Sequence, residues 1–147
     1  MKKKNLIILS VILLSAVFLF AFWKLAPVHL LKDVEAGEIS EVKIKNGINQ
    51  KEFSVTSKEE VSFILENLKN TSFKRGPKAL ENEFWYELIF LNDSSKAVAT
   101  VQIQNHSFLR LPEGRFLKGD LNSLADFLEK RGLELFHDYN KDTDFPY

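Results

Sequence analysis

Leu6 to Trp23 is a run of 18 residues without a charge, broken in polarity only by Ser10 and Ser15. A helix of that length covers about 27 Å, close to the hydrocarbon thickness of a bilayer. Apolar on every side, it would need an unusually large core to hide in if it stayed in water. Trp23 stands at the far end, where an interfacial aromatic is favoured. Lys2, Lys3 and Lys4 precede the run and Lys24 follows it. The positive-inside rule then places the N-terminus in the cytoplasm and everything after Trp23 outside. A cleaved signal peptide has a shorter apolar stretch and small residues at its cleavage site. "FAFWKLAP" offers bulky residues there instead. The expectation is an uncleaved, single-pass signal anchor in the cell membrane, with the bilayer as partner of residues 6–23.

Charge separates the two parts of the chain. All 20 acidic residues come after position 32, so residues 24–147 carry 17 basic and 20 acidic side chains, a net of −3. A mildly acidic domain has no electrostatic footprint for nucleic acid. Cysteine is absent, which excludes disulfides, thiolate metal sites, cysteine nucleophiles and a lipid-modified N-terminal cysteine.

Residues 1–5 read as a cytoplasmic basic tail, 24–38 as a stem, 39–133 as an extracytoplasmic domain and 134–147 as an acidic tail. Within the domain, "ISEVKIKNG" and "QKEFSVT" predict a first hairpin about an Asn46–Gly47 turn. "SKEEVSFILENLKN" predicts a helix. Val61, Ile64, Leu65 and Leu68 form its apolar stripe, and Ser57 with Glu60 forms a capping box. "EFWYELIFLN" predicts a central strand covered on both sides, because both of its faces are largely apolar. Trp85, Ile89 and Leu91 would be half-exposed on its second face, or covered by the stem or tail. "KAVATVQIQN", "SFLRL" and "RFLKG" predict three more strands. "DLNSLADFLEKRG" predicts a final helix with Asp120 as N-cap and Gly132 as its left-handed stop. The segment "TSFKRGPKALENE" reads as a loop or edge strand. The order β-β-α-β-β-β-β-α gives an α+β fold: one curved antiparallel sheet with two helices on one face.

"EVKIKNG", "FSVTSKEEVSFILENLKNTSFKR" and the aromatic strand after them resemble small extracytoplasmic domains of unknown function from Gram-positive bacteria. Those domains follow a lipoprotein signal or a single membrane helix. The resemblance covers roughly residues 39–132 and implies an exported, anchored domain with this sheet-and-helix layout. It supplies no catalytic motif. Members often begin at a lipobox cysteine, which this chain lacks.

Few residues point to chemistry. Asp138, Asn140, Asp142 and Asp144 recur at every second position, as in the first half of a calcium loop. Thr143 stands where such a loop needs Gly, and its closing carboxylate would fall beyond residue 147, so no metal site is expected. His29, His106 and His137 lack metal-ligand spacing. Glu81, Glu83, Glu87 and Glu113 could offer a carboxylate pair for hydrolysis, but no spacing marks one. No phosphate loop or serine-nucleophile motif is present, and no cofactor is implied. The best binding candidate is "FKRGPKALENEFWY", where Lys74, Arg75 and Lys78 join a run that includes Trp85. Cations beside aromatics can grip anionic or glycan ligands. The expectation is a non-catalytic binding or accessory module at the cell envelope, with an unknown protein or envelope component as partner. An enzyme accessory or hydrolase, and a structural or immunity-type protein, are the alternatives.

Overall fold

The structure, a computed structural model, describes residues 3–76 and 84–141. Helix α1 spans Lys3–Leu25, and not one of its residues is buried. Its two serines do not interrupt its apolar character. Ser10 Oγ donates to Leu6 O at 3.0 Å and Ser15 Oγ to Val11 O at 2.8 Å, so each hydroxyl is satisfied within the helix. The helix is long and apolar enough to cross a membrane.

After a short 3₁₀ turn at Ala36–Glu38, strands β1 (Glu41–Asn46) and β2 (Glu52–Val55) form the first hairpin. Helix α2 (Lys58–Asn70) leads to the two-residue strand β3 (Lys74–Arg75). Strands β4 (Tyr86–Leu91), β5 (Ala97–Ile103), β6 (Phe108–Arg110) and β7 (Phe116–Lys118) follow as a meander, and α3 (Asn122–Lys141) closes the described chain. All pairings are antiparallel, in the order β2-β1-β4-β5-β6-β7-β3. Helix α2 therefore connects one edge of an open sheet to the other.

One sheet face carries the core. Val42 opposes Phe90, Ile44 opposes Leu88, Leu88 opposes Val101 and Ile103 opposes Leu109, and all of these are buried. The α2 stripe of Val61, Ile64, Leu65 and Leu68 joins them, as does the α3 stripe of Leu121, Leu124 and Leu128. Burying a side chain of this size contributes about 1.5–3 kcal/mol, so the two stripes hold the helices to the sheet. Phe63 and Phe127 meet between the helices with ring centroids 5.0 Å apart.

The other face is open and alternates with the core, as an antiparallel sheet allows. Glu87 accepts from Gln102 Nε2 at 2.8 Å there, across the β4–β5 pair. Strand β4 lies inside the sheet, as its composition suggests, but among the described residues its second face is only partly covered. Ile89 is half-buried, while Leu91 is buried beside the register shift that follows Phe90.

Three further local expectations are corrected. Ser57 is the N-cap of α2, but its hydroxyl bonds the Glu59 carboxylate at 2.8 Å rather than the helix backbone. That bond, first among several influences, holds the Glu59 carboxyl below its usual range. Glu60, freed from a capping box, reaches Arg131 of α3 at 3.2 Å. Gly132 does not stop α3, which runs on to Lys141, so the segment from 134 begins as helix rather than tail. A mid-helix glycine costs only about 1 kcal/mol relative to alanine, too little to end a helix already docked by three leucines. Asp120 sits one residue before the backbone cap: its carboxylate takes the Asn122 N–H at 3.1 Å, while Leu121 O accepts from Ala125 N at 2.8 Å.

Candidate functional site

The Asn46–Gly47 turn positions one wall of a cleft. Asn46 Oδ1 accepts from the Ile48 and Asn49 N–H groups at 2.8 and 3.1 Å, an arrangement that tightens the loop. Gly47 N–H donates to Trp85 O at 2.9 Å, which brings the turn against the chain entering β4. Only glycine fits that approach, because a Cβ at Gly47 would stand 1.9 Å from Phe84 O. Trp85 N–H in turn donates to Ile103 O at 2.8 Å. The tryptophan backbone is thus pinned on both sides while the residue remains 37% exposed.

The β5–β6 loop supplies the opposite wall. Asn105 Oδ1 accepts from Ser107 and Phe108 N–H groups at 2.8 and 3.0 Å, and this turn presents His106. The imidazole meets the Trp85 ring edge to face at 5.1 Å, and its Nδ1 stands 3.2 Å from Asn122 Oδ1 of α3. Asn46, Ile48, Trp85, Tyr86, His106, Ala125 and Glu129 together line a cleft of 340 Å³. Burial pushes the Tyr86 hydroxyl above its ordinary value, and the negative charge of Glu129 adds to the effect. The cleft can offer a flat aromatic wall at Trp85, a hydroxyl donor at Tyr86 and a carboxylate at Glu129. A ligand with an apolar or ring-shaped body and a hydrogen-bond-donating or cationic group would match those features.

The predicted binding residues do not share one site. Lys74 and Arg75 form β3 at the sheet edge, whereas Trp85 leads into β4, and strands β5, β6 and β7 lie between them. Lys78 and the segment 77–83 that links the two places lie outside the described residues. Arg75 is engaged with α1 instead. Its Nη donates to Trp23 O at 2.5 Å, and its guanidinium stands 4.2 Å from the Trp23 ring. The last carbonyls of a helix have no intrahelical partner, and a cation there also complements the helix dipole. Val28 and Phe73 add a two-bond bridge, at 2.7 and 3.0 Å, that ties the chain after α1 to the start of β3. The end of α1 is therefore fastened to the sheet edge.

The other candidates disperse. Among the described residues, no group of three or more His, Asp or Glu side chains is placed to hold a metal. Asp138 and Asn140 lie on the helical backbone of α3, which removes the loop conformation that the alternating spacing suggested. Asp142 and Asp144 lie outside the described residues. Glu113 pairs with Arg115 in the β6–β7 turn and is held below its usual carboxylate range by hydrogen bonds from its own backbone and from Arg115. Glu87 is on the open sheet face, and Glu81 and Glu83 fall outside the described residues. Sequence reasoning missed Asn46, Ile48, Tyr86, His106 and Glu129 as neighbours of Trp85. The Asn46–Gly47 turn was the local signal; the meeting of β1, β4, β5 and α3 was not.

The fold is α+β: an N-terminal apolar helix fastened to an open seven-stranded antiparallel sheet, with two further helices over one face. No protein-family model, curated protein or solved structure matches the chain.

Proposed function

We propose that the protein is a single-pass, membrane-anchored extracytoplasmic module that binds a ligand or partner in the Trp85 cleft and carries out no catalysis. The observation that carries the anchor is the contrast between helices. Helices α2 and α3 each bury one stripe in the core, whereas α1 leaves Leu6, Ile7, Phe18, Phe22 and Trp23 exposed. So much contiguous apolar area is not left in water. The basic N-terminus sets the orientation, with the sheet domain outside the cell. A half-exposed tryptophan held by backbone bonds on both sides, beside a buried tyrosine and a carboxylate, suits recognition of a small ligand or a partner's side chain.

Native cysteine is absent, so single-cysteine variants report topology without background. Ser94→Cys, in the β4–β5 turn, should react with an impermeant maleimide in intact cells, and Asn5→Cys only after lysis. The reverse pattern, or release of the protein by carbonate extraction, defeats the anchor reading. For the cleft, a photo-cross-linking residue at Ile48, which is 79% exposed on the rim, should capture a neighbour in cells. Trp85→Ala should abolish that adduct; an unchanged adduct counts against the cleft.

A further inference from the structure

The β3–β7 edge gathers cations in a way the fold itself does not require. Lys74 and Lys118 are direct partners in the antiparallel ladder, and both are exposed. Like charges directly opposite one another weaken such a pair. The Lys118 ammonium stands 5.7 Å from the Phe108 ring, which steadies it without neutralising it. Asp120, two residues on, turns its carboxylate to Asn122. On α1, the Lys24 ammonium lies 5.9 Å from the Phe20 ring, one turn from its own backbone.

Arg75 fixes where this edge stands relative to α1. It holds the carbonyl and the ring of Trp23, a residue type favoured at headgroup level. Consecutive Cα atoms are about 3.8 Å apart and ladder partners about 5 Å, so Lys74 and Lys118 stand within about 10 Å of the Arg75 backbone. That distance is a little more than the roughly 5–8 Å of headgroup layer on each side of the hydrocarbon core.

We propose that Lys74 and Lys118 bind the phosphate of an anionic phospholipid headgroup. The headgroup phosphate sits at these two ladder partners and offsets the repulsion between their like charges. The inference rests on α1 spanning the bilayer, and it goes beyond that reading by assigning a lipid class to the sheet edge.

Full-length protein in neutral detergent, titrated with dioctanoyl phosphatidylglycerol, dioctanoyl phosphatidylcholine and inorganic phosphate by native mass spectrometry, tests it. Phosphatidylglycerol should be retained about tenfold better than phosphatidylcholine. Lys74→Gln and Lys118→Gln should each weaken that retention roughly fivefold, the worth of one basic residue at an anionic surface. Each variant should melt at the same temperature as the parent or higher, because a like-charge contact has been relieved. Equal retention of the two lipids, or no loss in the variants, overturns the proposal. Retention of inorganic phosphate as strong as that of phosphatidylglycerol overturns the lipid assignment. Failure of the anchor reading shows separately, as release on carbonate extraction; a chain that stays in the membrane yet has no headgroup preference refutes this inference alone.

Discussion

Gly47→Ala is the most searching single change for the cleft. The added methyl would sit 1.9 Å from Phe84 O, 2.7 Å from Phe84 Cδ2 and 2.9 Å from Phe84 C. Two of those atoms are backbone, so a side-chain rotation cannot relieve the clash. Either the β1–β2 turn lifts away or the chain entering β4 moves. Overpacking of this kind costs about 1–3 kcal/mol. Lifting the turn also breaks the Gly47 N–H to Trp85 O bond, worth about 0.5–1.5 kcal/mol. The sum is about 1.5–4.5 kcal/mol, a large share of the roughly 5–15 kcal/mol that holds a domain folded. At about 4 °C per kcal/mol for a domain near 100 residues, Tm should fall by roughly 6–18 °C. Thermal unfolding of the full-length protein in detergent, followed by circular dichroism, measures this. Gly37→Ala is the control: nothing stands within 4 Å of its Cβ, so Tm should change little. The tryptophan emission of Gly47→Ala should also shift, since Trp85 loses one of its two backbone restraints. Equal melting of Gly47→Ala and Gly37→Ala, with unchanged emission, would falsify the account of the cleft's construction.

Three other outcomes follow from the packing and charge arrangement. Tyr86 binds its proton more tightly in the fold than in the unfolded chain, so its stabilisation is complete below the ordinary value of 10.0 and is lost as pH rises above it. An ultraviolet titration should show one tyrosine ionising late. Tyr86→Phe should remove the late phase, and Glu129→Gln should only reduce it, because burial is the larger cause. Leu68→Ala, at a fully buried position on α2, should cost about 2–5 kcal/mol in denaturant unfolding; a loss under 1 kcal/mol would contradict the core described above. Arg75→Ala removes the grip on Trp23, so limited proteolysis should cut residues 24–29 faster while the Tm of the domain stays nearly constant; an unchanged cleavage rate would leave the clamp without a role.

Much of the local structure was legible because each signal lay within one element. The α2 stripe has a 3.6-residue period, and all four of its members are buried. The alternation in β4 separates Tyr86, Leu88 and Phe90 from Glu87 and Ile89. Features set by distant parts of the chain were not legible. Strand β3 is two residues long, too short for any periodicity, and exists because β7 pairs with it. Glu60 turns to Arg131, far along the chain, instead of to the cap. The joining of Lys74 and Arg75 to Trp85 in one loop failed for a related reason. Closeness in sequence says nothing about which strands the sheet inserts between two residues.

The path of α2 from edge to edge has a consequence for the order in which the molecule can be assembled. Strands β1 and β2 can pair as soon as they are made, since they are joined by a short turn. Strand β3 has no partner until Phe116–Lys118 exists, about 40 residues later. The first half of the domain thus holds both rims of the sheet, with β1 beside one of them, and lacks the four strands β4 to β7 between. Long-range pairing of this kind is slow, because loop closure precedes its reward. Arg75 sits on β3, so its hold on Trp23 cannot be secured before the meander is complete. Attachment of the domain to its own N-terminal helix is then a late event. A chain truncated anywhere before β7 would lack the paired β3 that carries the Arg75 hold on that helix.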